Sequence, residues 1–219
     1  MNILSLIQKE LKLELRRKTV IASLGLYLLS LVLISYFSFT FRTDLITPPV
    51  WNALFWITGL FTVISTVAKS FIGEKRGTDF YFYTLANAHE ILFSKVIYYF
   101  VLCILLLVAG FILFMLFLNN PIQNYSQFFL LLVLSAGGLA STLTFISGIA
   151  SRASNSNILM AVLSFPLIVS ILLLSIKVTK NCMDGLDASA SNDEFLSLVA
   201  INCLVNALSY LLFPYIWRS

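Results

Sequence analysis

Charges punctuate this chain at long intervals, and the uncharged stretches between them are its dominant pattern. A helix needs about 20 apolar residues to cross a bilayer, and a charge at the hydrocarbon centre costs about 2.5 kcal/mol or more. Each long uncharged stretch is therefore a candidate span. No charge lies between Lys18 and Arg42, which places a first span at 20–41. Pro48 and Pro49 suit a helix entry, since proline is tolerated in the first turn, and open a second span at 50–68. The run from Lys95 to Arg152 is uncharged throughout and too long for one crossing. Asn119-Asn120-Pro121, followed by Gln123 and Asn124, is a turn signal that divides it into spans at 96–118 and 127–150. A fifth span follows at 157–176 and a sixth at 195–217, where Trp217-Arg218 reads as an interfacial anchor.

Six crossings bring the chain back to its starting side, and the basic residues give an independent test. Lys9, Lys12, Arg16, Arg17, Lys18, Lys69, Lys75, Arg76, Lys95, Arg152 and Arg218 fall on the side of the termini, and only Arg42, Lys177 and Lys180 fall opposite. Eleven against three places both termini in the cytoplasm. The pattern predicts an all-α, single-domain integral membrane protein over 1–219. Composition closes off the soluble alternative: 59% of 219 residues are apolar and 11% charged, and the mean hydropathy is +0.94. A soluble chain would leave large apolar patches against water. No small-residue cleavage site follows the first apolar run, so it is expected to stay as a helix.

Before that run, 2–18 repeats Ile3, Ile7, Leu11 and Leu15 on one helical face, with Lys9, Lys12 and Arg16 opposite and Arg17 close by. This predicts an amphipathic helix lying on the inner leaflet of the lipid bilayer. Glu10 and Glu14 fall amid the apolar side. Two explanations stand: Glu14 pairs locally with Arg17 or Lys18, or these acids meet a basic residue of another subunit. The cytoplasmic segment 69–95 gathers Glu74, Lys75, Arg76 and Asp79 within six positions, with Gly77 and Thr78 among them. Thr78 followed by Asp79 reads as a helix start, with a short helix expected over 79–86. Asn87 with Glu90 reads as a second start, launching the third span from inside the cytoplasm.

Candidate chemistry is sparse. His89 is the only histidine, paired carboxylates are absent from the spans, and no G-x-x-x-x-G-K-[ST] occurs. These absences argue against an intramembrane protease, a proton relay and a chain that binds ATP through its own P-loop. Neither catalytic residues nor a cofactor or metal site is expected, and nothing points to nucleic acid. Cys103 and Cys203 are expected as small buried hydrophobes within spans, and Cys182 in the outer loop. Uncharged polar residues do mark the spans: Thr58, Thr62 and Ser65 on the second, Gly137, Ser141, Thr144 and Gly148 on the fourth, Asn202, Asn206 and Ser209 on the sixth. Helix packing explains such residues, and a substrate path or a dimer seam would use the same types. Pro166 is expected to kink the fifth span.

The six spans, the N-terminal "KELKLELRRK" and a loop opening with Glu-x-x-Gly-Thr resemble the membrane subunits of ABC-2 type exporters. More narrowly, the length, "GEKRGTDFYFYTLANAHEILFSK" and "SRASNSNILMAVLSFPLIVSILLLS" resemble the CcmB family, the membrane subunit of the haem-handling ABC transporter of cytochrome c maturation. Family members often have proline late in the first cytoplasmic loop, where this chain has Ala86-Asn87-Ala88. The resemblance implies a homodimeric permease powered by a separate ATPase, which supplies ATP hydrolysis and docks on the loop through Glu74, Lys75, Arg76, Gly77, Thr78 and Asp79. It also implies further maturation subunits, a haem chaperone on the outer face, and haem as substrate of the complex. An ABC-2 permease for a lipid, drug or glycan and a non-transporting scaffold are the alternatives.

Overall fold

The computed structural model describes residues 6–9, 11–12, 18–39, 46–67, 70–71, 88–151 and 156–218. All regular structure among them is helical. Six long helices, α1 (Lys18–Phe39), α2 (Pro48–Val67), α3 (Ala88–Phe117), α4 (Tyr125–Ala150), α5 (Ser156–Met183) and α6 (Asn192–Arg218), are joined late in the chain by a 3-10 turn at Ala188–Ser191. All six contain stretches long and apolar enough to cross a membrane. The start of α2 meets the ends of α3 and α5 through Trp51 and Asn52, and the start of α4 is bonded to the end of α5. The chain thus runs up and down. One end of the bundle, the terminal face, holds the end of α2, the start of α3 and the C-terminal end of α6. The turns after α3 and α5 lie at the opposite face.

α4 is the central helix and packs against α2, α3, α5 and α6. In its membrane-length stretch 72% of residues are buried, against 11% in α1, which rests on α2 and α3 at the edge. Sequence explains the difference. Between helices in lipid there is little hydrophobic gain, so association rests on close packing and hydrogen bonds, which favour small and hydroxyl residues. α4 is dense in them and its buried set runs unbroken from Gly138 to Gly148. α1 exposes Leu26, Ile34 and Phe37, side chains suited to hydrocarbon. Two of the hydroxyls inside α4 find partners close by: Ser135 bonds Ser175 of α5 at 2.8 Å, and Ser141 donates to the Gly137 carbonyl at 2.8 Å.

An aromatic layer fills the half of the bundle nearer the opposite face. Trp51 stacks on Phe55 at 5.3 Å and meets Phe114 edge-on at 5.5 Å, while Phe111 and Phe128 lie 4.9 Å apart. These are the offset and edge geometries that ring quadrupoles prefer.

Several details differ from the sequence reading. α3 begins at Ala88, next to the start read at Asn87 and ahead of the span placed at 96–118, and α5 runs on to Met183 rather than ending at 176. Cys182 consequently sits buried in the last turn of α5, not in a loop. Cys203 is exposed on the outward side of α6, where a weakly polar thiol tolerates lipid, rather than buried. Thr58 and Thr62 are buried, but Ser65 faces outward.

Candidate functional site at the foot of the second loop

The charged group predicted for docking, Glu74, Lys75, Arg76, Gly77, Thr78 and Asp79, lies outside the described residues, as do the starts expected at Thr78 and Asn87 and the short helix at 79–86. The residues that hold this loop at both ends are described. α2 ends at Val67 and the chain reappears as a turn at Ser70 and Phe71, both buried. Any helix end leaves carbonyls and, beyond it, amides that need partners from elsewhere. Here other helices supply them. Lys95, eight positions into α3 and only 3% exposed, donates from Nζ to the Ser70 carbonyl at 2.8 Å. Its ammonium also lies 4.7 Å from the centroid of the Phe71 ring, a cation–π distance. A cation at the exit of α2 further suits the negative end of that helix. The Phe71 N–H donates to Ser147 Oγ of α4 at 3.2 Å.

The Phe71 ring then meets Phe213 of α6, 5.4 Å between centroids. Phe213 can approach because residue 148 is glycine: a Cβ there would lie 2.8 Å from the Phe213 ring. Leu6, Ile91 and Leu92 complete this small apolar cluster. Four helix ends and the N-terminal segment therefore converge beneath the loop. Beside them His89 stacks on Tyr210 at 4.3 Å, and its Nδ1 is buried without a hydrogen-bond partner among the described residues.

The remaining predicted residues divide. Lys9 and Lys12 lie on described helical residues, half-buried and exposed respectively, whereas Glu10, Glu14, Arg16 and Arg17 lie outside them. Among the described residues of this segment the buried one is Leu6, which the expected apolar face of Ile3, Ile7, Leu11 and Leu15 did not include; Leu11 is exposed. On α4 and α6, Gly137 gives room to Asn202, whose Oδ1 would stand 3.0 Å from a Cβ at 137. Asn202 Nδ2 donates to the Leu134 carbonyl at 3.1 Å and to its own Leu198 carbonyl at 2.8 Å. Asn206 turns back to the Asn202 carbonyl. Thr144 Oγ1 is buried without a hydrogen-bond partner among the described residues. Gly148 belongs to the foot of the loop. Among the described residues no three His, Cys, Asp or Glu side chains gather as metal ligands.

The family model described as CcmB protein matches residues 1–215. The chain belongs to the CcmB family. No curated protein and no solved structure matches it. A CcmB protein is a transporter membrane subunit rather than a catalytic enzyme, and the six apolar helices make this one a multi-pass membrane protein. For a CcmB chain the loop foot is the place where helices meet the segment best furnished with charge. Lys95 itself was visible in the sequence only as one more basic residue near a span. Its partners Ser70 and Phe71 are 25 and 24 positions away along the chain, and Phe71 in turn meets Ser147 and Phe213 on other helices, so spacing could not disclose them.

Proposed function

We propose that this chain is the permease subunit of an ABC transporter that handles haem for c-type cytochrome maturation, with ATP hydrolysed in a partner subunit. The observation that carries the reading is the family match across essentially the whole chain. In this reading two copies pair in a bacterial-type inner membrane with both termini in the cytoplasm, a topology supported by the eleven-to-three division of basic residues. The ATPase docks on 72–87 through Glu74, Lys75, Arg76 and Asp79, and the other maturation subunits and the haem chaperone act with the complex. Haem is its substrate, not a resident cofactor of this chain.

A haem stain of membrane and periplasmic proteins from a strain lacking the gene tests the function. Covalently haem-bearing bands disappear and return on complementation; unchanged bands refute it. Docking is tested by Glu74→Arg, which reverses a charge that the positive-inside rule does not require. The variant is expected to reach normal membrane levels, to lose copurification with the ATPase and to lose haem attachment. Full retention of both would remove the loop's acidic residue from the contact.

A further inference from the structure

We propose that His89 is the point at which this chain takes hold of its cargo: an imidazole that ligates the iron of a haem arriving from the cytoplasmic side, between the start of α3 and the end of α6. The inference deepens the proposed function, on which it rests for the identity of the cargo. His89 is the only histidine of the chain and stands in the first turn of α3, at the terminal face. Tyr210 of α6 lies nearly parallel to it, 4.3 Å between centroids and 20° between planes. Phe93, one turn further along α3, meets the same tyrosine at 6.3 Å. These ring contacts hold the imidazole in one orientation, since it cannot turn without losing the stack.

The two ring nitrogens carry the argument. A histidine kept for structure is normally kept for its hydrogen bonds, one donated and one accepted. Here Nδ1 is enclosed without a partner, so the packing is one that phenylalanine would provide without burying a nitrogen. The enclosure does have a consequence for ligation. Nδ1 is shut off from any ligand, and the half-buried ring keeps its Nε2 edge for contact with one. With the proton on Nδ1, the neutral imidazole presents a lone pair at Nε2, the form in which histidine binds iron. A porphyrin held there stands across the imidazole plane, against the outward side chains that lead from His89 into the membrane. Ile97 and Val101, each one turn on from the last along α3, are exposed, and so are Leu211 and Tyr215 near the end of α6. Apolar surface thus meets the water-facing end of the bundle at this point, which suits a ligand with an apolar ring and anionic propionates. Leu6 packs beside Ile91 and Phe213, which brings the N-terminal segment and its exposed Lys12 to the same face as a cation for those carboxylates.

The full chain, purified in detergent through an affinity tag free of histidine, is titrated with hemin. Saturable binding is expected, with the absorption and magnetic circular dichroism of an imidazole-ligated iron. His89→Ala should remove that signature and lower the affinity at least about tenfold, the lower end of what a metal site loses with one of its supporting contacts. His89→Gly should lose the signature too and regain it on addition of free imidazole, which a merely structural role would not show. In cells His89→Ala is expected at normal membrane level, with the ATPase still copurifying and covalent haem attachment reduced. An unaltered spectrum in His89→Ala overturns the inference, and so does equal affinity of the two chains for hemin.

Should the variants fail to accumulate, the unaltered chain decides. Because it holds a single histidine, diethyl pyrocarbonate acylates one imidazole and no other. Bound hemin should shield His89 from the reagent, acylation beforehand should abolish the imidazole signature, and hydroxylamine should restore it. Full ligation after complete acylation would refute the assignment. Failure of the underlying proposal looks different: a strain lacking the gene would keep the haem on its cytochromes, whatever the chain binds in detergent.

Discussion

Among the described residues, the two ends of the bundle show different kinds of contact. At the opposite face, directional bonds tie helix to helix in series: Trp51 Nε1 to the Asn119 carbonyl at 2.9 Å, Asn52 to the Ile176 carbonyl at 2.8 Å, Trp56 Nε1 to Thr179 at 2.9 Å. The Gln123 and Asn124 amides both donate to the Cys182 carbonyl, Gln127 reaches the Leu186 carbonyl, and Lys177 pairs with Glu194. At the terminal face the described contacts include the Lys95 ammonium on the Ser70 carbonyl and the Phe71 ring, the Phe71 amide on Ser147, and the ring pair of Phe71 and Phe213. Hydrogen bonds and interlocked indoles fix register because they fail when groups move by an ångström or so. Ring faces against glycine do not.

The comparison can be broken at either end, beginning with the largest effect. Trp51→Ala removes a side chain 1% exposed from the aromatic layer together with its bond to Asn119. In lipid much of the transfer contribution is missing, but the cavity contribution remains, so a loss of about 3 kcal/mol, the low end for such truncations, is expected. Thermal unfolding of the detergent-solubilised protein measures it. A negligible shift would mean that the aromatic layer does not hold that end.

Gly148→Val drives a branched side chain into Phe213 at the terminal face. Overpacking of this kind costs about 2 kcal/mol, and here haem attachment should fall more steeply than the amount of protein in the membrane. If the two fall in proportion, the foot is only packing. The smallest effect belongs to Gly185, whose φ of 68° lies in the left-handed region and whose missing Cβ makes room for Gln123. Gly185→Ala should cost about 1 kcal/mol of stability and leave haem attachment per molecule unchanged, as measured by haem stain normalised to membrane level. A specific loss of attachment would give the opposite face a part in function as well.

Much of the fold was legible because lipid excludes charge so strongly. The uncharged run from Lys95 to Arg152 with Asn119-Asn120-Pro121 inside it points to two helices, and the structure has α3 and α4 there. The same rule misled the reading at its margins. It ended the third span at Lys95 on the assumption that an ammonium must lie outside, whereas the protein itself solvates this one with a carbonyl and a ring, and α3 continues outward to Ala88. Lys177 gave the mirror case: an exposed lysine on the surface of α5 interrupts nothing, and the helix goes on to Met183.

The candidate site was legible in part. Charge density pointed to the loop, and the small residues Gly137 and Gly148 were visible as a stripe along α4. What each glycine admits was not. One receives Asn202 and the other Phe213, and both partners come from α6, the last helix in the chain. Leu6 was hidden for a similar reason, since its partners Phe71, Leu92 and Phe213 are tertiary neighbours that no local periodicity can reveal.

Ser135, buried in the central helix, has its hydroxyl partner in Ser175, 40 residues further along the chain. Asn202, which seats on the same helix, comes later still. During synthesis α4 therefore enters the bilayer before the groups that will cover its polar side exist. The most deeply enclosed helix of the mature protein must wait to be enclosed, and its safe passage depends on the order in which the ribosome delivers its neighbours.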